Sequence, residues 1–249
     1  MNGRFMISLF VGLGCLPSCR AHSGYQPTKD SFLVFFELSN LNGVENRTGG
    51  FVLEVHPSWA PVAVNRFQEL VRTNYFKDMR FYTTKNTIIS HFGLAADADK
   101  TAAWTTKPLK DEPLTAKIQA HKRGLVSFWK EPGVTNSRST KMFVNFVENT
   151  DMDKQGCTPI GYIVRGLDRA GEIKKHGADE QQILQKGNAY LSTWPLMTYI
   201  TNVTFLASPD EAREAMKRVG TAHYSVKQGP YVHARVPDPL LSAPLQAEL

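Results

Sequence analysis

Apolar residues recur along this chain in short bursts, and most bursts have the density of β-strands. Residues 32–38 read Phe-Leu-Val-Phe-Phe-Glu-Leu, a run rich in aromatic and branched side chains. The polar stretch 41–50, with its Asn-Gly and Gly-Gly pairs, reads as a turn, and 51–55 as the returning strand of a hairpin. The period then changes. Pro61 suits the first turn of a helix, where a missing N–H costs nothing, and Val64, Phe67, Leu70 and Val71 recur at helical spacing. Residues 81–83 and 87–89 are the next strand signals, and 93–110 reads as a long loop. Residues 125–129, 142–146 and 160–164 read as three more strands. Asp179 can cap a helix whose apolar positions are Ile183, Leu184, Tyr190 and Leu191, and 199–205 is the last strand. Strands outnumber helices and do not alternate with them. A β-barrel with helices at its ends therefore fits better than a doubly wound sheet.

Composition narrows the class. A chain of 249 residues with 42% apolar content suits one domain of about 170 residues plus extensions. The net charge is +6, but Lys and Arg are scattered and form no stripe interleaved with aromatics, which argues against a nucleic-acid surface. There is no Gly-rich phosphate loop, no HExxH and no paired zinc spacing, so no cofactor and no metal are expected. Cys15 and Cys19 lie near the N-terminus and leave Cys157 alone in the body, so no disulfide framework is expected. Asn46-Arg47-Thr48 and Asn202-Val203-Thr204 have the form of glycosylation sequons.

The two ends read differently from the body. Arg4 precedes an uncharged run over 5–16, too short to span a bilayer comfortably but suited to a secretory signal or uncleaved anchor. A mitochondrial or plastid leader is the rival, since Arg4 and Arg20 flank the run and no acid precedes Asp30. The expected division is a leader at 1–24, a body at 30–207, and a short helix with an extended tail at 208–249. Membrane contact would come only through the leader. Ser208-Pro209-Asp210-Glu211 forms a near-complete capping box, and Gly220 can end that helix. Residues 221–249 carry four prolines. They read either as an end without a fold of its own or as an arm that docks on a partner.

Several segments, in order over about 32–205, resemble cyclophilins, the peptidyl-prolyl isomerase family. Ala60-Pro61-Val62-Ala63-Val64-Asn65-Arg66-Phe67 is similar to the family's first helix. Asn74-Tyr75-Phe76-Lys77-Asp78 and the following Arg80-Phe81-Tyr82 resemble its turn and Phe-His strand. His91-Phe92-Gly93-Leu94 resembles a variant of its Gln-Gly-Gly-Asp loop, and Asp111-Glu112-Pro113-Leu114 its acidic loop. Arg123-Gly124-Leu125-Val126-Ser127-Phe128 resembles a central strand. The run from Asn136 through Ser137, Arg138 and Ser139 to Asn145 looks like Asn-Ser-Arg-Thr-Thr-Gln-Ile-Phe-Ile-Asn. Asp153 to Gly161 looks like Asp-x-Gln-Gly-Phe-x-Pro-Phe-Gly. The resemblance implies a mainly β fold, a closed eight-stranded antiparallel barrel capped by two helices. It also implies a partner: a proline-containing peptide or protein.

The same resemblance implies a groove, and there the chain departs from the pattern. The family's catalytic arginine falls at Thr83. Its first groove Gln falls at His91, with Ile88 and Ile89 for the Phe and Met between. The second groove Gln falls at Lys141, the next aromatic at Met142, and the proline-pocket Phe is kept as Phe143. A small Ala-Asn pair becomes Trp129-Lys130, in a loop two residues longer. Met152 takes the pocket Leu, while the family's Trp and His fall at Asp151 and Cys157. Alternation puts Lys85 on the face of Thr83, roughly 7 Å along. Lys85 and Lys141 are either substitute cations or solvated charge. Trp129 either fills the groove or covers core, and His91 is either a groove residue or a loop histidine held by local hydrogen bonds. Isomerisation needs a group that binds the twisted amide better than the planar forms. A planar guanidinium does this well, and a threonine hydroxyl is shorter and neutral. The expectation is therefore a cyclophilin-like protein of weak or no isomerase activity, serving as a binding or structural module in a larger assembly. An active isomerase of altered specificity is the alternative.

Overall fold

The structure is a computed structural model that describes residues 30–83, 88–113 and 121–220. The first hairpin forms as expected, with β1 (Phe32–Ser39) antiparallel to β2 (Gly49–Val55). Helix α1 (Pro61–Arg72) follows with Pro61 in its first turn, and it buries Ala63, Val64, Phe67, Leu70 and Val71. The chain continues through β3 (Ile89–Phe92), α2 (Ala98–Thr105), β4 (Leu125–Phe128), β5 (Met142–Asn145) and α3 (Thr150–Lys154). It ends through β6 (Pro159–Arg165), α4 (Leu167–Gly171), α5 (Glu180–Lys186), α6 (Asn188–Leu191), β7 (Tyr199–Leu206) and α7 (Pro209–Gly220).

All seven strands join one antiparallel sheet in the order β3-β5-β4-β6-β2-β1-β7. The sheet curls as a half-barrel around one core. Alternation decides what enters it: Val34, Phe36 and Leu38 of β1 face inward, and Leu33 and Phe35 face outward. Four phenylalanines surround Phe36 in the interior. Its ring stacks 4.8 Å from Phe51 and lies 6.3, 6.0 and 6.1 Å from Phe67, Phe76 and Phe92. Such rings add about 0.5–1.5 kcal/mol per pair beyond their burial.

An eighth regular strand over 81–83 does not form among the described residues. That run instead lies between the two sheet edges and makes single bridges to each. Arg80 pairs with Tyr199 at the start of β7, and Tyr82 exchanges both backbone hydrogen bonds with His91 of β3, at 2.9 and 2.8 Å. The strand expected at 87–89 is shifted to Ile89–Phe92, because Ser90 and His91 are polar by composition yet backbone-paired with β5.

Two more differences have physical causes. The long loop contains α2, which buries only Thr101 and so shows no apolar period; Asp97 starts it by accepting from the Asp99 N–H. The helix expected through 183–191 breaks at Gly187, whose φ of +53° and closeness to the Ala96 carbonyl leave no space for a Cβ. Asp179 nevertheless caps α5 as expected, accepting from Gln181 and Gln182. At α7 the capping box closes: Ser208 Oγ accepts from the Glu211 N–H, and Glu211 reaches back to the Ala207 N–H. That helix packs Ala212, Ala215 and Met216 on the outer face of β1 and β2, over Leu33, Phe35 and Val52. Lys85, Thr87, Leu114, the leader and residues 221–249 lie outside the described residues. Among the described residues no helix is long and apolar enough to cross a membrane.

Candidate functional site

The candidate groove lies on the outer face of β3, β5 and β4. In β5, Met142 and Val144 point into the core, so Phe143 points out; in β4, Val126 and Phe128 point in, so Ser127 points out. On that outer face Ile89, Phe143, Met152 and Cys157 form a buried apolar cluster, with Ile88 and Trp129 packed against it. These six are among the residues that the resemblance assigns to a groove. Met142 is the exception: it belongs to the main core and not to the groove.

Trp129 fills the groove. Its ring meets Phe143 edge-on at 6.0 Å and His91 edge-on at 4.9 Å. Beneath it, Phe143 has 0% exposure. The indole N–H donates to Glu131 Oε1 at 2.9 Å. Lys141 locks the same carboxylate from the other side, donating to Glu131 Oε1 at 2.7 Å and to Glu180 Oε1 at 2.8 Å. Its ammonium also stands 5.1 Å over the Trp129 ring. Lys141 thus sits at the groove with its charge engaged by two carboxylates. The ammonium of Lys130 goes to the Val134 carbonyl at 2.9 Å and to Asp111 at 3.4 Å, and its backbone hydrogen-bonds Cys157.

His91 is a strand residue, 2% exposed, stacked 5.6 Å from Tyr82, with its Nδ1 buried and unpaired among the described residues. Burial, helped by the Lys141 charge, pulls its pKa down to about 3, so it is neutral at ordinary pH. Burial pushes the Cys157 thiol up to about 11, which removes it as a nucleophile. Thr83 holds its place by backbone bonds: its N–H donates to the His176 carbonyl at 3.0 Å, and its carbonyl accepts from Ala178 at 3.2 Å. Asp151 pairs with Lys154 on the exposed surface of α3.

One part of the site escapes sequence reasoning. His121 stacks on Phe143 at 5.7 Å, with Nδ1 2.6 Å from Asp153 Oδ1 and Nε2 2.8 Å from Ser127 Oγ. Burial lowers the His121 pKa, and the Asp153 carboxylate opposes this. The residue types match a nucleophilic relay. Ser127 and His121 are however both 0% exposed, so the trio forms the floor under Phe143 and does not reach a substrate. No spacing signal joins positions 121, 127 and 153. Two cavities lie away from this face, one lined in part by Tyr75, Ala96 and Lys100, the other by Asn40, Arg80 and Tyr199. Among the described residues no cluster of His, Cys, Asp and Glu could hold a metal ion.

The family model of the cyclophilin type peptidyl-prolyl cis-trans isomerase/CLD matches residues 42–191. The chain belongs to this family. A search of curated proteins returns no match. Among solved structures, the chain is similar to a cyclophilin type peptidyl-prolyl cis-trans isomerase of Cryptosporidium parvum, at 14% identity and a TM-score of 0.49, covering 71% of this chain and 98% of that one. The same Cryptosporidium isomerase, crystallised in the presence of the dipeptide ala-pro, matches at 14% identity and a TM-score of 0.48, over 70% and 99% of the two chains. A cyclophilin from Hirschia baltica matches at 15% identity and a TM-score of 0.47, over 72% of this chain and 75% of that one.

Proposed function

We propose that this cyclophilin-type domain is a binding or structural module of weak or no isomerase activity, with proline-containing peptides or proteins as its partner class. One observation carries the reading: Phe143, the residue matching the family's proline pocket, is sealed beneath Trp129, which Glu131 and Lys141 hold in place. Displacing the indole breaks an exposed hydrogen bond to a carboxylate, worth about 0.5–1 kcal/mol. That weakens entry of a proline ring by about two- to fivefold relative to an open groove. Any peptide that does enter meets Thr83 where the family carries a guanidinium, and Lys141 already engaged by two acids. The amide barrier of about 18–20 kcal/mol then keeps most of its height.

Membership of a larger assembly belongs to the same proposal, with the leader and the residues beyond 220 as its attachments. So does a place in the secretory pathway or an organelle, for which the uncharged run at 5–16 is the support.

The test is a proline-isomerisation assay on a standard X-Pro peptide. The expected result for the native chain is a rate close to the uncatalysed one. Trp129→Ala is expected to strengthen peptide binding without restoring turnover, and Trp129→Ala with Thr83→Arg to restore part of it. Native turnover at the level of an ordinary cyclophilin would overturn the proposal in favour of an active isomerase of altered specificity.

A further inference from the structure

Trp129 is held over the groove by a small set of charges, and that set is open to competition. Glu131 Oε1 accepts two donors at once, the Trp129 indole N–H at 2.9 Å and the Lys141 ammonium at 2.7 Å. The same ammonium donates to Glu180 Oε1 at 2.8 Å. One carboxylate oxygen is therefore common to the lid and to its lock. A cation that takes Glu131 competes with both.

The accessible side of this set is acidic. The side chains of Glu131 and Glu180 are 48% and 27% exposed, against 13% for Lys141. Two carboxylates and one ammonium leave this set with one negative charge in excess. Lys130, beside the lid in sequence, is engaged by Asp111 at 3.4 Å and by the Val134 carbonyl, and His91 is neutral at ordinary pH. The acids are also placed by their backbones. The Glu131 N–H donates to Ser137 Oγ at 2.9 Å, and that hydroxyl donates to the Val134 carbonyl at 3.0 Å, so the loop is tied to itself. Glu180 opens α5, next to the Asp179 cap. Because one ammonium touches both acids, their oxygens stand close enough together for a single guanidinium to take both. Arginine has the planar fork for such a double contact, and lysine does not.

Resting on the partner class proposed above, we infer that the groove selects proline segments that carry an arginine beside the proline, and that this arginine opens the lid. Its guanidinium replaces the Lys141 ammonium on Glu131 and Glu180. The indole N–H then loses its acceptor, the ring swings aside, and Phe143 becomes available to the proline ring. The bonds exchanged are exposed and individually weak, so the charges set selectivity more than affinity. An acidic residue at the same place meets like charge and leaves the lid shut.

The test is an NMR titration of the isotope-labelled full chain with three peptides capped at both ends: Ala-Arg-Pro-Ala, Ala-Ala-Pro-Ala and Ala-Glu-Pro-Ala. The readout is the Trp129 indole N–H signal, assigned through Trp129→Phe. At low ionic strength the arginine peptide is expected to bind about tenfold more tightly than the glutamate peptide, with the alanine peptide between them, and to shift the indole signal most. At about 0.5 M salt the gap is expected to narrow to about twofold. Glu131→Gln combined with Glu180→Gln is expected to abolish the preference while the remaining spectrum stays native. Equal affinity for the three peptides would overturn the inference. So would a preference that survives the double substitution, or an indole signal that stays still while the arginine peptide binds. Each of these results leaves the partner class standing. Binding of none of the peptides, by the native chain and by Trp129→Ala alike, would overturn that class and this inference with it. High native turnover would overturn the weak-activity reading alone.

Discussion

His91 makes the stability of this protein depend on mild acid, and the size of the effect follows from its surroundings. The ring is 2% exposed, its Nδ1 has no partner among the described residues, and Lys141 stands nearby. Its pKa falls from 6.5 in an open chain to about 3 in the fold. A depressed native value means that the unfolded chain binds the proton first. The contribution is therefore fully present above pH 6.5 and is lost as pH falls toward 3. At pH 5 the linkage amounts to about 2 kcal/mol, a visible fraction of a native stability of about 5–15 kcal/mol. The assay is urea unfolding at pH 7.5 and pH 5 for the native chain and for His91→Gln, which places at this position the residue type the family uses there. His56 and His121 are also depressed by burial and add to the acid sensitivity of both proteins, so they cancel in the comparison. The native chain is expected to lose about 2 kcal/mol more than the variant between the two pH values. Parallel losses in the two proteins would refute the reasoning.

Two further outcomes concern the frame of the site. Glu112 caps α1 by accepting from the Val62 and Ala63 N–H groups at 2.6 and 3.1 Å, and it pairs at 3.0 Å with Arg138, which is 0% exposed. Glu112→Ala therefore strands a buried cation and is expected to cost about 3–5 kcal/mol in urea unfolding; a loss under about 1 kcal/mol would contradict the described contacts. Cys157 is fully buried with its thiol pushed up to about 11, so it is expected to resist alkylation at pH 8 until the chain unfolds, as read by peptide mapping.

The parts of this fold that were legible in the sequence are those whose side chains repeat against one surface. β1, β2 and α1 each present a regular apolar face to one core, and their periods of 2 or 3.6 survive in the sequence. α2 stayed hidden because it buries one threonine, and the break at Gly187 because a close approach to the Ala96 carbonyl leaves no local pattern. Ile89, Phe143, Met152 and Cys157, each assigned to the groove by resemblance, pack as one cluster. Met142 was misplaced for a simple reason: neighbouring strand residues face opposite sides, so it cannot share a groove with Phe143. The His121, Ser127 and Asp153 trio joins a loop, a strand and a helix, and three single polar residues far apart leave no trace that a pattern could reveal. The clamp of Lys141 by Glu131 and Glu180 is hidden in the same way, since each acid reads as an ordinary surface charge.

The bridging run Arg80–Thr83 bears on solubility as much as on chemistry. β3 and β7 are the free margins of the sheet, and an open margin is a template for pairing with other chains. The main chain of this run occupies ladder positions on both margins, through Arg80 with Tyr199 and Tyr82 with His91. That service draws on amides and carbonyls, to which the side chain at position 83 is nearly irrelevant. A threonine there costs the sheet nothing and suits an extended backbone. The run Arg80–Thr83 thus covers part of both sheet margins whichever side chain stands at position 83.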